Sequence, residues 1–334
     1  MEPPPVQFAR TKQGLSIAYS ATGAGRPLVI WGPALGGMAL WWHFAPEWMA
    51  GLAARFRVLQ HDPPGHGMSE RGLPADFGPR GDEPALDAVL DQLHFDRFIL
   101  VGLHGFGRLG IRYAAANPER VEALVLISTT VAHAMPSLYR GVAAENWEFF
   151  LHSLIPESAG PEEARIWFED LKQSTTYEDW QIRGRLSTAP ESSVEADLPR
   201  LRVPTLVLHP QESPLSSSEG GRKLAALIPN ARLVMISGDH PLGDAAEGLA
   251  AIDQFLAEMA PDPQQETGLP SNGLSPREID VLRLLAAGRS NQQIADELVI
   301  SLNTARRHVS NIYDKTGVAN RTEASVYARD HGIA

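Results

Sequence analysis

Arg306 and Arg307 stand side by side in the C-terminal part of the chain, among Asn303, Thr304, Ser310 and Asn311. Wound as a helix, Leu302, Ala305, Val309 and Ile312 make one apolar stripe. Asn303, Arg306, Arg307, Ser310 and Asn311 then fall on the opposite face, with Thr304 beside them. Guanidinium and amide groups held that way can donate to phosphates and to guanine edges in a DNA major groove. The same residues would also suit a plain solvated face, and spacing alone does not choose.

Such a face needs elements that position it. Ser275, Pro276 and Glu278 have the spacing of a capping box with proline in the first turn. Val281, Leu282 and Leu285 follow on one face, and Gly288 is placed to end that helix. Ser290–Gln293 repeats the box before Ile294, Ala295 and Leu298. Val299–Ser301 is then a short turn into the third helix. The stretch resembles the DNA-binding domain of LuxR-type transcriptional regulators from Leu274 to about His331. LSPRE, SNxxIA, SxNTxxxHVSNIY and GVxNRTEA carry the likeness in order. It departs at Ala305, where the family usually has valine, which loosens the core slightly and leaves the arginine pair intact. The resemblance implies a helix-turn-helix that reads double-stranded DNA through Asn303, Thr304, Arg306, Arg307, Ser310 and Asn311. It also implies a homodimer, with RNA polymerase as a further candidate partner. In the last helix Ala324, Tyr327 and Ala328 suit either a dimer surface or the core.

The longer N-terminal part alternates strands and helices. Strands are expected over 6–11, 15–21, 27–32, 56–60, 98–102, 121–128, 204–209 and 232–237. Helices are expected over 38–54, 85–93, 108–117, 219–227 and 245–259. That rhythm implies a mostly parallel α/β sheet. Residues 130–200 break it with helices rich in Trp147, Phe149, Phe150, Trp167, Phe168, Tyr177 and Trp180, which reads as a lid over the strand ends. Residues 260–273 are rich in Pro, Gly and Gln and lack periodicity, as a linker does. The expected domains are 1–259, the linker 260–273, and 274–334.

Residues 27–258 resemble the α/β-hydrolase fold. The likeness rests on Trp31-Gly32, DPPGHGMS from Asp62 to Ser69, VGLHGFG from Val101 to Gly107, PTLVLH from Pro204 to His209, and GDH at Gly238–His240. That family's chemistry needs a nucleophile on a G-x-S-x-G elbow, a late acid and a last histidine. The resemblance puts His104 at the nucleophile, Ser213 at the acid and His240 at the histidine, with Phe106 in place of a glycine. Trp31 stands where a strand-end histidine is usual. Two of three triad positions are therefore changed, and Glu212, beside Ser213, points elsewhere. A pseudoenzyme is expected, its pocket walled by Trp31, Trp42, His43, His104, Phe106, His240 and by some of Trp147, Phe150, Trp167 and Trp180. Each tryptophan could equally fill core. A pocket of that kind suits a small apolar or aromatic effector. Two histidines are too few for a metal site, so neither metal nor other cofactor is expected.

Composition bounds these readings. The chain has 334 residues, too many for one three-helix module, and 43% apolar content supports a sizeable core. It has no cysteine, hence no disulfide and no thiolate nucleophile. No run has the length of a signal peptide or a membrane span, so a soluble cytoplasmic protein is expected. Net charge is −11, but Leu274–Ala334 holds eight Arg and Lys against seven Asp and Glu, which leaves −12 for the rest. DNA contact should therefore fall to the small domain. The expected whole is a transcription regulator that senses its effector through a degenerate hydrolase-like domain. The alternative is a true hydrolase with unusual catalytic residues and an appended DNA-binding domain.

Overall fold

Apolar runs buried on both faces decide the architecture. In strands β5 (Phe98–Leu103) and β7 (Thr205–Pro210) every residue is buried, as is usual for a parallel sheet covered on both sides. A computed structural model describes residues 3–31, 36–78, 80–131, 137–155, 160–188, 193–212, 218–238, 240–259, 274–298, 300 and 302–333. The chain divides into two units, Met1–Ala260 and Pro261–Ala334. The expected linker and the acid position Ser213 lie outside the described residues.

Among the described residues the first unit holds one sheet of eight strands in the order β1-β2-β4-β3-β5-β6-β7-β8. The others are β1 (Gln7–Arg10), β2 (Ser16–Thr22), β3 (Pro27–Trp31), β4 (Arg57–His61), β6 (Val121–Ile127) and β8 (Arg232–Ile236). β1 with β2 and β2 with β4 are antiparallel, and every later pairing is parallel. Alternate residues feed two cores. Val29, Trp31, Leu100, Leu124 and Val207 face one side, with α3 (Glu83–Leu93), α4 (Gly107–Ala116) and α9 (Ser218–Leu227). Leu28, Ile30, Val101, Val125 and Leu208 face the other, with α2 (Pro46–Ala53) and α10 (Ala245–Glu258).

The helix expected over 38–54 is broken. A single 3-10 turn at Met38–Leu40 leads into α1 (Trp41–Phe44), and α2 starts afresh at Pro46. Pro46 has no N–H and disfavours the helical region for the residue before it. Ala45 accordingly sits at φ −134°, ψ 57°.

Between β6 and β7 the described residues form the α-helices α5 (Ser137–Glu145), α6 (Trp147–His152), α7 (Pro161–Ser174) and α8 (Tyr177–Thr188), followed by a 3-10 turn at Leu198–Arg200. The α-helices have a core of their own. Phe150, Leu151, Trp167 and Leu171 are buried together with Leu40, and Trp147, Tyr177 and Trp180 pack around them.

The second unit holds α11 (Pro276–Ala286), α12 (Asn291–Leu298), α13 (Leu302–Thr316) and α14 (Arg321–Asp330). Both capping boxes form. Ser275 Oγ accepts from the Glu278 N–H while Glu278 accepts from the Ser275 N–H, and Ser290 and Gln293 do the same. Gly288 is left-handed at φ 82°, and the Gly288 and Arg289 N–H groups reach back to Leu285 and Leu284, a Schellman ending. Val281, Leu282, Leu285, Ile294, Ala305 and Ile312 fill the core. Ala324 and Ala328 are fully buried in it, and Tyr327 packs against it and stacks on His331 at 3.9 Å. The two alanines are therefore core, because α14 closes over α11, and are not a dimer surface.

Candidate functional site

In the first unit the site residues sit where β5 turns sharply into α4. His104 follows Leu103 at φ 46°, in the left-handed region, which for a residue with a side chain costs on the order of 1 kcal/mol or more. The turn works because Gly102 and Gly107 leave room for each other. A Cβ on Gly102 would lie 2.6 Å from Gly107 Cα, and one on Gly107 would lie 2.0 Å from Thr129 Oγ1. The close approach that a glycine at position 106 would serve falls one residue later, so Phe106 is accommodated, half-buried against the core. His104 is likewise half-buried.

His240 follows β8. The Leu242 N–H donates to its Nδ1 at 3.1 Å, which makes Nδ1 the bare nitrogen. Nε2 lies 3.1 Å from the Phe44 carbonyl and so carries the proton it donates there. The ring also lies 4.5 Å from that of Phe44, which meets Trp167 edge-on at 5.2 Å. Both nitrogens of His240 are committed to backbone. Glu212 is exposed.

The expected aromatic walls are mostly packed. Trp31 is fully buried between Tyr113, edge-on at 5.4 Å, and His61 at 6.4 Å. Trp42 is 3% exposed and donates to Gln60 Oε1 at 3.1 Å. Trp147 packs on Phe150 and Trp180 inside the insertion. Two open clefts flank α1. One of about 420 Å³ is lined by His43, Pro161, Ile166 and Trp167, and one of about 300 Å³ by Phe44, Trp48 and His240. Among the described residues no group of three or more His, Asp and Glu is placed to hold a metal ion.

The DPPGHGMS stretch does more than mark the fold. Asp62 is 1% exposed and accepts from the Met38 and Met68 N–H groups at 2.8 and 2.9 Å. Burial pushes its carboxyl up to about 6, against the pull of those two N–H groups, and nearby Asp170 adds to the rise. His66 is pushed down to about 4 by burial and then by Arg183. Half-buried Arg183 pairs with buried Asp82 at 2.9 Å, which joins α8 to the start of α3. Spacing gives no sign of the Met38 and Arg183 contacts, whose partners lie 24 and 101 positions apart in the chain.

In the second unit, Ala305, Val309 and Ile312 are buried. Arg306, Arg307 and Ser310 are exposed and Thr304 and Asn311 half-buried. The backbone of Asn303 lies in the first turn of α13, and its side chain is outside the described set. Arg277 donates to the Leu298 carbonyl at 2.7 Å, tying α11 to the end of α12.

A doubly covered, mostly parallel sheet with a strained β5–α4 elbow and a helical insertion defines a class. The chain belongs to the alpha/beta hydrolase fold family, whose pattern matches residues 27–243. Residues 272–328 match bacterial regulatory proteins, luxR family. Over 67 residues the chain is 43% identical to the transcriptional regulatory protein LiaR of Bacillus subtilis (strain 168), covering 20% of this chain and 32% of LiaR. It therefore spans about a third of the length of that relative. Over 225 residues it is 29% identical to RutD of Caulobacter sp. (strain K31), 62% of this chain and 81% of RutD. The crystal structure of the enol-lactonase from Burkholderia xenovorans LB400 superposes with a TM-score of 0.64 at 22% identity, over 75% of this chain and 100% of that one. The likeness there is one of fold. No described helix is long and apolar enough to cross a membrane.

Proposed function

We propose that the chain is a DNA-binding transcription regulator whose hydrolase-fold unit binds a small apolar or aromatic effector instead of turning over esters. One observation carries the sensor half. The left-handed elbow position holds the imidazole of His104 in place of a hydroxyl, and the only histidine at a triad position besides it, His240, has both ring nitrogens bonded to backbone. A general base needs a free acceptor nitrogen facing its nucleophile. The effector would meet His104, Phe106, Trp147 and His240 beneath the insertion, whereas Trp31 and Trp42 are packed into the two cores on either side of the sheet. The DNA half is supported by the exposed Arg306 and Arg307 on α13 and by the likeness of residues 272–328 to luxR-family regulators. The chain would act as a homodimer on paired half-sites, with RNA polymerase as a further partner.

The test is an anisotropy titration of promoter DNA with the full chain. It is run with and without hydrophobic compounds that raise its unfolding temperature, as a ligand of the native state must. Affinity that shifts with the compound supports the reading. A chain that ignores both DNA and compounds sinks it. A second reading, a hydrolase with His104 as nucleophile, draws on the intact elbow between Gly102 and Gly107, and ester turnover would carry it.

A further inference from the structure

The three residues that open the 3-10 turn before α1 are each gripped by an ionisable side chain. The Gly36 carbonyl accepts from His66 Nε2 at 2.6 Å. The Gly37 N–H donates to Asp170 Oδ2 at 2.8 Å, and the Met38 N–H to Asp62 Oδ1 at 2.8 Å. His66 and Asp62 belong to the loop after β4, whereas Asp170 belongs to α7 of the insertion. The turn also packs directly on that helix. A Cβ at Gly36, itself at φ 72°, would lie 2.5 Å from Asp170 Oδ2. Leu40, the last residue of the 3-10 turn, is buried in the core of the insertion.

The insertion holds the β4 loop as well. Ser174 O accepts from the Gly67 N–H at 2.6 Å, and Thr175 Oγ1 donates to Gly65 O at 3.3 Å. Asp179, 1% exposed on α8, accepts from the Gly72 and Leu73 N–H groups at 3.1 and 2.7 Å. Asp170 is the link that runs straight from α7 to the turn. Its second contact, from Ser174 Oγ at 3.0 Å, holds the carboxylate at the end of its own helix.

We propose that Asp170 is a strut between the insertion and the turn Gly36–Met38, so that a displacement of α7 and α8 is felt at the Gly37 backbone. This goes beyond effector binding, because it names the route by which an event in the insertion reaches the loop after β3. The coupling is mechanical. A carboxylate on a 14-residue helix, bonded to a backbone N–H across a junction with no room for a Cβ, cannot move without that N–H following or losing its partner.

The test is native-state hydrogen exchange of the full chain. Asp179→Ala combined with Arg183→Ala removes the contacts of α8 to Gly72, Leu73 and the Pro64 carbonyl in the β4 loop. This double variant should speed exchange at Gly37 by at least about tenfold, as local opening does. Amides of β5, Leu100 and Val101, should keep their protection. In an Asp170→Ala background Gly37 should already exchange fast, and adding the α8 double variant should change it no further. If Asp170→Ala disturbs β5, Asp170→Leu, which fills the space without an acceptor, replaces it. Asp170→Asn, which keeps an oxygen for Gly37, should restore transmission. Unchanged Gly37 exchange in the α8 double variant would overturn the proposal. A double-variant effect that persists without the Asp170 acceptor would overturn it too, because the route would then run through Asp62 and His66.

Discussion

Lys315, in the last turn of α13, places its ammonium 2.7 Å from Glu278, the third residue of α11. Glu278 is 3% exposed and also closes the Ser275 capping box. Burial alone would raise its pKa, but the hydrogen bonds from Lys315 and Ser275 outweigh burial and hold the carboxyl below its ordinary value. The pair fixes the far end of α13 against the start of α11. Lys315→Met should destabilise the C-terminal unit by on the order of 1–3 kcal/mol, read by urea unfolding. A depressed carboxyl contributes stability above its unfolded pKa and loses it as pH falls through the folded value. The deficit of the variant should therefore be full at pH 7 and fade below the ordinary carboxylate range. A deficit that is constant down to pH 3 would mean that the ion pair is not its source.

On α13, at least one of Arg306→Ala and Arg307→Ala should lower specific DNA binding about tenfold or more. A base contact should cost roughly 1–3 kcal/mol of discrimination, whereas a phosphate contact should weaken all sequences alike and reduce the salt slope by about one. Titrations on operator and random DNA at two salt concentrations separate the two. Wild-type affinity in both variants would remove α13 as the reading element.

His104 at φ 46° stores backbone strain that glycine would not. His104→Gly should therefore lose less stability than His104→Ala, by roughly 1 kcal/mol, in chemical denaturation followed by tryptophan emission. Both variants should weaken the response to effector and leave effector-free DNA affinity unchanged. Equal loss of both functions would point to misfolding.

With no hydroxyl on the elbow and His240 bonded at both nitrogens, p-nitrophenyl esters should give neither burst nor turnover. Steady hydrolysis that His240→Ala abolishes would show a working base at that position.

Asp62 should titrate near pH 6 in the folded protein, well above its ordinary 3.8. The sign is opposite to that of Glu278. The folded state binds the proton more tightly, so stability rises as pH falls from about 6 toward 4 and is lost on the way back up. In Asp62→Asn this pH-dependent part should vanish. Its persistence would assign the proton elsewhere.

Much of the fold is legible because local signals and long-range burial agree. Strands such as β5 and β7 show as unbroken apolar runs because both faces are covered, and the boxes at Ser275 and Ser290 are closed within four residues. Pro46 was visible too, but the apolar period of 38–54 ran through it, and the backbone constraint won over the pattern. The site was less legible. Trp31 and Trp42 look like pocket walls in sequence, yet which side of a sheet or helix an indole meets depends on neighbours such as Tyr113 and Gln60. Ala324 and Ala328 could not be told from a surface without knowing how α14 closes on α11. The grip of Asp170 on Gly37 joins residues 133 positions apart, with no periodicity to announce it.

The indoles of Trp147 and Trp180 lie 5.6 Å apart at 56° to each other, within the aromatic core of the insertion. Two strong transition dipoles so close and so inclined couple, and a coupled pair gives a split circular-dichroism band of opposite-signed lobes. The insertion thus has an optical signature of its own. That band should disappear in Trp180→Phe with the helix content intact. Where it fades before the rest of the far-ultraviolet spectrum during denaturation, it times the loosening of these helices ahead of the sheet beneath them.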